Sequence, residues 1–290
     1  TEKELSVIIP VYNNGVYLRN RAFRSLRRSS IFNKMQVYLV DDGSDKETID
    51  QIKQLEKEYS NVTTYFFNDG GSGSASRPRN KGFEIAKEPY VTYLDPDNEA
   101  INDGYTKLLD KLKSEDVDFA FGSISKIDDS VKELAFRYED MKIKNPRKEL
   151  INNKFKTNSI QACVIKRELI ENNKIESPVG ANGQDTMFFY ELMLNANSVY
   201  HMYIPIHIYY AQRAASVVNT INKSFFEKSL IMETYQVEAL KKYDILDKYK
   251  QIKYNQFFKG WYLEKLKHVR EDQKKYCEEI LNKIALLYGL

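Results

Sequence analysis

The stretch LSVIIPVYNN, residues 5–14, decides the fold class of this chain. Its first seven residues are mostly apolar and rich in β-branched types, which predicts a strand buried on both faces of a parallel sheet. Similar strands are predicted at residues 36–40, 62–67, 90–94 and 118–122. Helical stripes lie at residues 16–30, 49–59, 79–87 and 102–113. This alternation predicts an α/β fold whose sheet is mostly parallel and flanked by helices.

The composition of the whole chain is that of a folded globular protein. Of 290 residues, 42% are hydrophobic, and the net charge of +3 gives no global field that indicates a nucleic-acid partner. The two cysteines, Cys163 and Cys277, are far apart, which predicts neither a disulfide framework nor a cysteine metal site and fits a reducing cytoplasm. No apolar run approaches the roughly 18 residues of a membrane span.

Polar residues follow each of the first four predicted strands. They are residues 12–14 (YNN), 41–44 (DDGS), 68–79 (NDGGSGSASRPR) and 95–99 (DPDNE). In open α/β sheets, ligands bind at the carboxyl ends of the strands, so the four segments are expected at one site. Each segment alone is more often a plain turn or helix cap, and it is their ordered coincidence that favours function.

The chemistry of these segments suits a phosphate-containing ligand. Backbone N–H groups of a glycine-rich turn before a helix can hold phosphate, and Arg77 or Arg79 can pair with a diphosphate. Asp42 can accept from the N–H of a base edge. Asp95 and Asp97, two residues apart in a turn, can hold one hard cation that also bridges phosphate oxygens.

Taken in order, these motifs resemble those of the inverting family 2 glycosyltransferases, which have the GT-A fold. The matching segments are residues 6–13 (SVIIPVYN), 40–44 (VDDGS), 78–82 (PRNKG) and 93–97 (YLDPD). The resemblance covers about residues 5–125. Residues 72–82 are also similar to a segment of the transferases that decorate wall teichoic acid.

The resemblance implies roles for individual residues. Pro10, Tyr12 and Asp42 would surround the base, usually uracil, Asn13 would also bind the nucleotide, and Arg79 would lie near it. Asp95 would lie near the ribose and, with Asp97, would bind Mn²⁺ or Mg²⁺.

Downstream, residues 183–189 (GQDTMFF) occupy the place of the family's catalytic base. Gln184 replaces the common glutamate, so the base role falls to Asp185; the alternative is a plain helix cap. Arg213 lies in a segment that resembles the one closing over the diphosphate, which makes it a candidate phosphate ligand. His207 is either a third metal ligand or, as a more ordinary explanation, a buried histidine.

The second half of the chain has a weaker pattern. Residues 124–158 are polar and lysine-rich, and they are either a mobile loop or an acceptor-facing insert. We expect a GT-A domain at residues 1–223, with a nucleotide-binding half at about 1–125 and an acceptor half at about 126–223. Residues 224–290 are expected to form a helical C-terminal appendage.

The appendage carries an aromatic helical face. It consists of Phe257, Phe258, Trp261, Tyr262 and Leu266, and we expect it to be buried within the chain. A homo-oligomer or acceptor interface and a peripheral membrane contact stay open as alternatives. The appendage is expected to support the fold or the acceptor side, not donor chemistry.

The resulting hypothesis is a metal-dependent inverting glycosyltransferase of bacterial type. It would move a hexosyl or N-acetylhexosaminyl group from a nucleotide diphosphate sugar, with UDP favoured, to a hydroxyl of a glycan, teichoic acid, lipid-linked or protein-linked acceptor. It would act in the cytoplasm or at the inner face of the membrane. The alternative is a sugar-nucleotide or glycan-binding module without catalysis, which would not need both the Asp-x-Asp pair and Asp185.

Overall fold

The computed structural model describes residues 1–211 and 221–290 of the chain. Within these residues the strands are β1 Leu5–Val11, β2 Met35–Asp41, β3 Val62–Phe66, β4 Tyr90–Tyr93, β5 Glu99–Ala100, β6 Phe119–Ile127, β7 Val131–Leu134, β8 Met141–Ile143, β9 Cys163–Lys166 and β10 Val199–Tyr210. They form one sheet in the order β3-β2-β1-β4-β9-β6-β10-β5, with β7 beside β6 and β8 beside β10.

The expected mostly parallel sheet flanked by helices is confirmed, and antiparallel strands are added to it, so the sheet as a whole is mixed. β1 to β4 pair in parallel, and β10 runs parallel to β6. β9 runs antiparallel to both β4 and β6, and β5, β7 and β8 also pair antiparallel. A parallel pair needs a crossover connection, and the alternating strand–helix pattern that supplies one is confined to the first part of the chain.

Helices cover both faces of this sheet. They are α1 Gly15–Tyr17, α2 Arg24–Arg27, α3 Lys46–Glu58, α4 Ser76–Ile85, α5 Gly104–Ser114, α6 Pro146–Asn152, α7 Arg167–Asn172, α8 Gln184–Asn195, α9 Lys223–Lys242, α10 Leu246–Tyr249, α11 Asn255–Phe257, α12 Leu263–Leu266 and α13 Glu271–Leu287. Wider π-type turns at Leu18–Phe23, Lys250–Tyr254 and Phe258–Tyr262 join several of them. Among the described residues, no helix combines the length and the apolar character needed to cross a membrane.

Strand β1 is the centre of the packing, because all seven of its residues are buried. Its side chains alternate between two cores: Val7 and Ile9 belong to one, and Ile8 to the other. Helix α4 approaches this strand so closely that a Cβ on Gly82 would lie 2.4 Å from Cγ2 of Ile8. Gly82, the glycine of the PRNKG segment, therefore allows the helix that carries Arg79 to pack closely against β1.

Residues 124–158 form regular structure, so the mobile-loop interpretation is wrong. β6 continues through this stretch to Ile127, and β7, β8 and helix α6 follow. All four residues of β7 are exposed, and the strand is held by pairing with β6. Polar sequence misled the prediction here, because an edge strand keeps its side chains in solvent and shows little periodicity.

The C-terminal appendage, residues 224–290, shares a hydrophobic core with one face of the sheet. Phe226, Tyr262 and Ile284 belong to the same buried cluster as Ile8 and Phe119. Two hydroxyl groups within it are hydrogen-bonded: Tyr262 and Tyr288 both donate to the buried Glu233, at 2.7 and 2.5 Å.

The prediction that the aromatic face is buried is confirmed for Tyr262 and wrong for Trp261. Tyr262 is 4% exposed, whereas Trp261 is 43% exposed. The π-type turns in this stretch shift the side chains away from the 3.6-residue period on which the prediction relied.

Packing of α13 on the shared core can be tested with two alanine variants. Ile284 is fully buried and Leu286 is 70% exposed on the same helix. We expect Ile284→Ala to lower the free energy of unfolding by about 2–5 kcal/mol because it leaves a cavity. Leu286→Ala should change it by less than about 0.5 kcal/mol. Urea unfolding measures both, and equal effects would contradict the described packing.

Candidate active site

The polar ends of the strands meet at a cleft of about 450 Å³. Pro10, Tyr12, Asp42, Asp95 and Asp97 all line it. Five of the site residues predicted from sequence are therefore brought together, although they come from the ends of three different strands. Among them Tyr12 is half exposed and offers its ring to the cleft.

Asp42 is held on two sides by the glycine-rich loop. Its Oδ2 accepts from the backbone N and the Oγ of Ser72, at 3.0 and 2.7 Å, and its Oδ1 accepts from Nε of Arg77 at 2.9 Å. Arg77 is in turn paired with Asp69 and lies 4.0 Å from the centre of the Phe67 ring. The carboxylate thus fixes the loop against the end of β2 and presents one edge to the cleft.

Two glycines allow this close approach of the loops. Gly43 has φ +93°, and a Cβ there would lie 2.5 Å from the backbone N of Gly71. Gly71 has φ +100°, and a Cβ there would lie 2.9 Å from the ring of Tyr12. Side chains at these positions would push the loops and Tyr12 apart, so the glycines shape one wall of the cleft.

A buried arginine joins the two halves of the site. Arg79 on α4 is 3% exposed, and its Nη2 donates to Oδ1 of Asp95 at 2.7 Å while its Nη1 donates to Oδ1 of Asp185. Asp95 follows β4, and Asp185 lies in the first turn of α8. The sequence predicted Arg79 near the nucleotide; the structure places its guanidinium behind the cleft, between two carboxylates.

The charge of Arg79 and the charges of the two aspartates affect each other's pKa values. Burial disfavours the guanidinium charge of Arg79, but Asp185 and Asp95 outweigh that effect and raise its pKa. Burial raises the pKa of Asp185, and the Asp95 carboxylate adds to this, while Arg79 opposes it. Asp185 is 35% exposed and does not cap its helix, because the N-cap position belongs to Gly183. The plain-cap interpretation is therefore wrong.

Asp95 is oriented by a residue that the sequence did not reveal. Nε2 of Gln161 donates to Oδ2 of Asp95 at 3.2 Å, and the backbone N of Asp95 donates to Oε1 of Gln161 at 2.8 Å. Gln161 lies just before β9, beside β4 in the sheet. Only the antiparallel insertion of β9 brings the two residues together, so no local pattern signals the contact.

His207 is a buried histidine near the aspartates. Its Nε2 lies 3.0 Å from Oγ of Ser159, and burial lowers its pKa to about 4, so the ring is neutral. Tyr209, two residues on, is partly exposed; burial raises its pKa, and the nearby Asp97 and Asp95 add to this. The end of β10 therefore closes the acidic side of the cleft.

Within the described residues, two predicted nucleotide ligands, Asn13 and Arg79, are not among those that line the cleft. Asn13 lies at its rim, where Oδ1 accepts from the backbone N of Asp45 at 2.8 Å and ties the ends of β1 and β2 together. Arg213 falls outside the described residues.

The Asp-x-Asp pair suits a metal that is completed by substrate. The described residues contain no group of three or more His, Cys, Asp or Glu side chains that could hold a metal ion. Asp95 and Asp97 nevertheless line the same cleft. Magnesium in proteins is commonly held by one or two carboxylates together with substrate phosphates and water, so two carboxylates are enough.

The mixed sheet between helices, with this acidic cleft at its strand ends, defines a glycosyltransferase of the GT-A fold. Residues 6–173, more than half of the chain, match the glycosyl transferase family 2 domain. The chain therefore belongs to glycosyl transferase family 2.

Comparison with known proteins points to enzymes of bacterial wall polymers. The chain is 25% identical over 244 residues to the poly(ribitol-phosphate) beta-N-acetylglucosaminyltransferase TarP of Staphylococcus aureus, covering 81% of this chain and 72% of TarP. Two other curated relatives are matched over 30% and 57% of their own lengths. The chain thus spans only part of these longer proteins.

Solved structures share the fold. S. aureus TarS 1-349 in complex with UDP-GlcNAc has a TM-score of 0.70 and 16% identity, covering 99% of this chain and 90% of that one. The mannosyltransferase PcManGT from Pyrobaculum calidifontis, in complex with GDP-Man and Mn²⁺, has a TM-score of 0.53 and 14% identity, covering 83% and 64%.

Removing the buried cation should destabilise the protein. We expect Arg79→Met to lower the free energy of unfolding at neutral pH by about 3–5 kcal/mol, because two carboxylates are left without their partner. Arg79 opposes the rise in the pKa of Asp185 that burial causes. Without Arg79 this carboxyl is protonated more readily, so the deficit should shrink as the pH falls.

Urea unfolding at neutral and acidic pH measures this effect. Lys87→Met, an exposed lysine just after α4, is the matched control and should be neutral. A fully stable Arg79→Met variant would contradict the described pairing.

Proposed function

We propose that this chain transfers a sugar from a UDP-sugar to a hydroxyl of a carbohydrate-type acceptor, with inversion at the anomeric carbon. The observation that carries the proposal is the Arg79 cluster, which holds Asp185 next to the cleft that contains Asp95 and Asp97. The two carboxylates that would hold the metal and the carboxylate that would act as the base are thereby kept at the same end of the sheet.

Donor recognition begins at the ends of β1 and β2. The exposed ring of Tyr12 stacks on the base, and Pro10 lines the same wall. Asp42 lines the same cleft, where Ser72 and Arg77 hold its carboxylate at the end of β2, and it is the proposed acceptor for the imide N–H of uracil. UDP-GlcNAc in the TarS complex supports a uridine nucleotide.

Asp97, together with Asp95, would hold Mn²⁺ or Mg²⁺ in the cleft. The bound metal supplies Lewis-acid stabilisation of the leaving diphosphate. Mn²⁺ in the PcManGT complex, a distant structural neighbour, supports this choice.

Asp185 acts as the general base. Its carboxylate takes the proton of the acceptor hydroxyl, whose oxygen forms the new bond to the anomeric carbon while the bond from that carbon to the diphosphate oxygen breaks. UDP leaves with the bonding electrons, and the proton stays on Asp185. Arg79 fixes the direction of the Asp185 carboxylate, since its Nη1 donates to Asp185 while its Nη2 is held by Asp95.

The acceptor approaches from the side of the appendage. A second cavity, of about 490 Å³, lies between the start of α8 and the appendage. Its lining residues include Gly183 and Thr186, which flank Asp185 in the sequence, and three aromatic residues of the appendage, Phe257, Trp261 and Tyr262. Aromatic faces suit the C–H surfaces of sugars and polyols. With TarP as a relative, the proposed acceptor class is a polyol-phosphate wall polymer of the teichoic acid type.

The cytoplasm is the proposed compartment of the reaction. Both cysteines, Cys163 and Cys277, are buried free thiols, as expected where disulfides do not form. An acceptor linked to a membrane lipid would bring the enzyme to the inner face of the membrane.

Donor choice and metal dependence test the proposed reaction. With poly(ribitol-phosphate) as acceptor, we expect nucleotide release from UDP-GlcNAc or UDP-glucose but not from GDP-mannose. Chelation should abolish turnover, and Mn²⁺ or Mg²⁺ should restore it. Asp97→Asn should lower the rate by about 100-fold or more, since a metal ligand supplies several kcal/mol.

Asp110→Asn is the matched control, because Asp110 is an exposed aspartate on α5, outside the cleft. Full activity of Asp97→Asn in chelator would contradict the metal assignment. Binding of UDP without turnover of any donor would favour a binding module instead.

Loss of the base should separate binding from transfer. We expect Asp185→Asn to lower kcat by about 10²–10⁴-fold while the Kd of UDP stays unchanged. In the wild type, kcat/KM should rise with pH through the pKa of Asp185, and this limb should lie above the ordinary aspartate pKa of about 3.9 because burial raises it. A drop of only a few-fold in Asp185→Asn at saturating acceptor would point to another base.

A further inference from the structure

A lysine from the C-terminal appendage reaches the donor cleft. Lys228 on α9 is half-buried and lines the same cleft as Tyr12, Asp42 and Asp97. Its Nζ donates to the carbonyl oxygen of Gly73 in the glycine-rich loop at 2.7 Å. This contact joins residues that are 155 positions apart, and neither the charge pattern nor the periodicity of α9 signalled it.

The helix that carries Lys228 is firmly placed. Phe226 and Ser229 on either side are buried. The turn before α8 is also tied to α9: Nδ2 of Asn182 donates to the carbonyl of Phe225 at 3.0 Å, and its backbone N donates to the carbonyl of Lys228 at 3.4 Å. The lysine is therefore held at the cleft by the same elements that hold the helix of Asp185.

The charges around the cleft leave a place for this cation. Among the described residues that line it, Asp42, Asp95 and Asp97 are acidic and Lys228 is the basic one. Two of the neighbouring arginines are already paired with carboxylates, Arg77 with Asp42 and Asp69 and Arg79 with Asp95 and Asp185. A third, Arg21, donates to the backbone carbonyl of Asp97 and does not line the cleft. An anionic diphosphate entering this cleft therefore meets the ammonium of Lys228 as the cation among the described lining residues.

The ammonium group also has hydrogen-bonding capacity to spare. A lysine Nζ carries three donors, and Gly73 accepts one. In the part of the chain that the structure describes, no carboxylate lies within ion-pair distance of Lys228. The remaining donors are available to phosphate oxygens next to the loop.

We propose that Lys228 binds the diphosphate of the nucleotide donor, so that the appendage contributes directly to the donor site. This inference rests on the proposed function and extends it, since it gives residues 224–290 a part in donor binding that the sequence did not suggest. The bond to Gly73 keeps the ammonium at the cleft before the donor arrives, and the flexible lysine stem lets it follow the phosphate.

Uridine and UDP distinguish phosphate contact from simple ordering of the loop, because they share the base and ribose and differ in the diphosphate. Kd values for both, measured by titration in Mg²⁺ buffer followed by NMR, should be compared among wild type, Lys228→Met and Lys228→Arg. We expect Lys228→Met to weaken UDP by about tenfold, equivalent to about 1.4 kcal/mol, and to leave uridine unchanged. Lys228→Arg keeps the charge and should recover most of the loss.

Lys241→Met on the same helix is the matched control, because Lys241 is exposed and outside the cleft. It should bind both ligands as the wild type does. Equal weakening of uridine and UDP in Lys228→Met would show that the lysine only orders the loop and would overturn the proposal. Unchanged UDP binding would overturn it as well, while leaving the proposed function intact. A wild-type protein that binds neither ligand would contradict the uridine donor itself, and the proposal with it.

Discussion

The pairing of one buried guanidinium with two aspartates is the interaction on which the site depends. Arg79 is almost fully enclosed, so its charge is tolerated only because Asp95 and Asp185 both face it. One aspartate follows a strand of the first part of the sheet, and the other opens a helix 106 residues from Arg79 in sequence. The guanidinium of Arg79 thereby sets the distance between Asp95, a proposed metal ligand, and Asp185, the proposed base.

The rest of the molecule holds this arrangement in place. Gly82 lets α4 pack on β1, and this packing brings Arg79 to the ends of the strands. Gln161, just before strand β9, orients Asp95. The appendage shares a core with the sheet and is bonded to the loop before α8. Residues 224–290 are therefore part of the structure that supports the site.

The sequence predicted the first part of the fold and the location of the cleft well, for a physical reason. Strand–helix alternation and the polar residues at each strand end are local patterns, so Tyr12, Asp42, Asp95 and Asp97 could be placed together from sequence alone. The antiparallel pairing of β9 and the contacts of Gln161 and Lys228 depend on distant segments and leave no local signal. Trp261 was misplaced because π-type turns break the helical period.

We infer that Arg79 positions the two aspartates and does not itself bind phosphate. A crystal structure of the protein with UDP and Mn²⁺ can decide this. We expect Arg79 to remain paired with Asp95 and Asp185 in the complex, with the metal at Asp97 between the protein and the diphosphate. A structure in which Arg79 has left Asp185 and pairs with the diphosphate would show that Arg79 is a phosphate ligand and not a positioning residue.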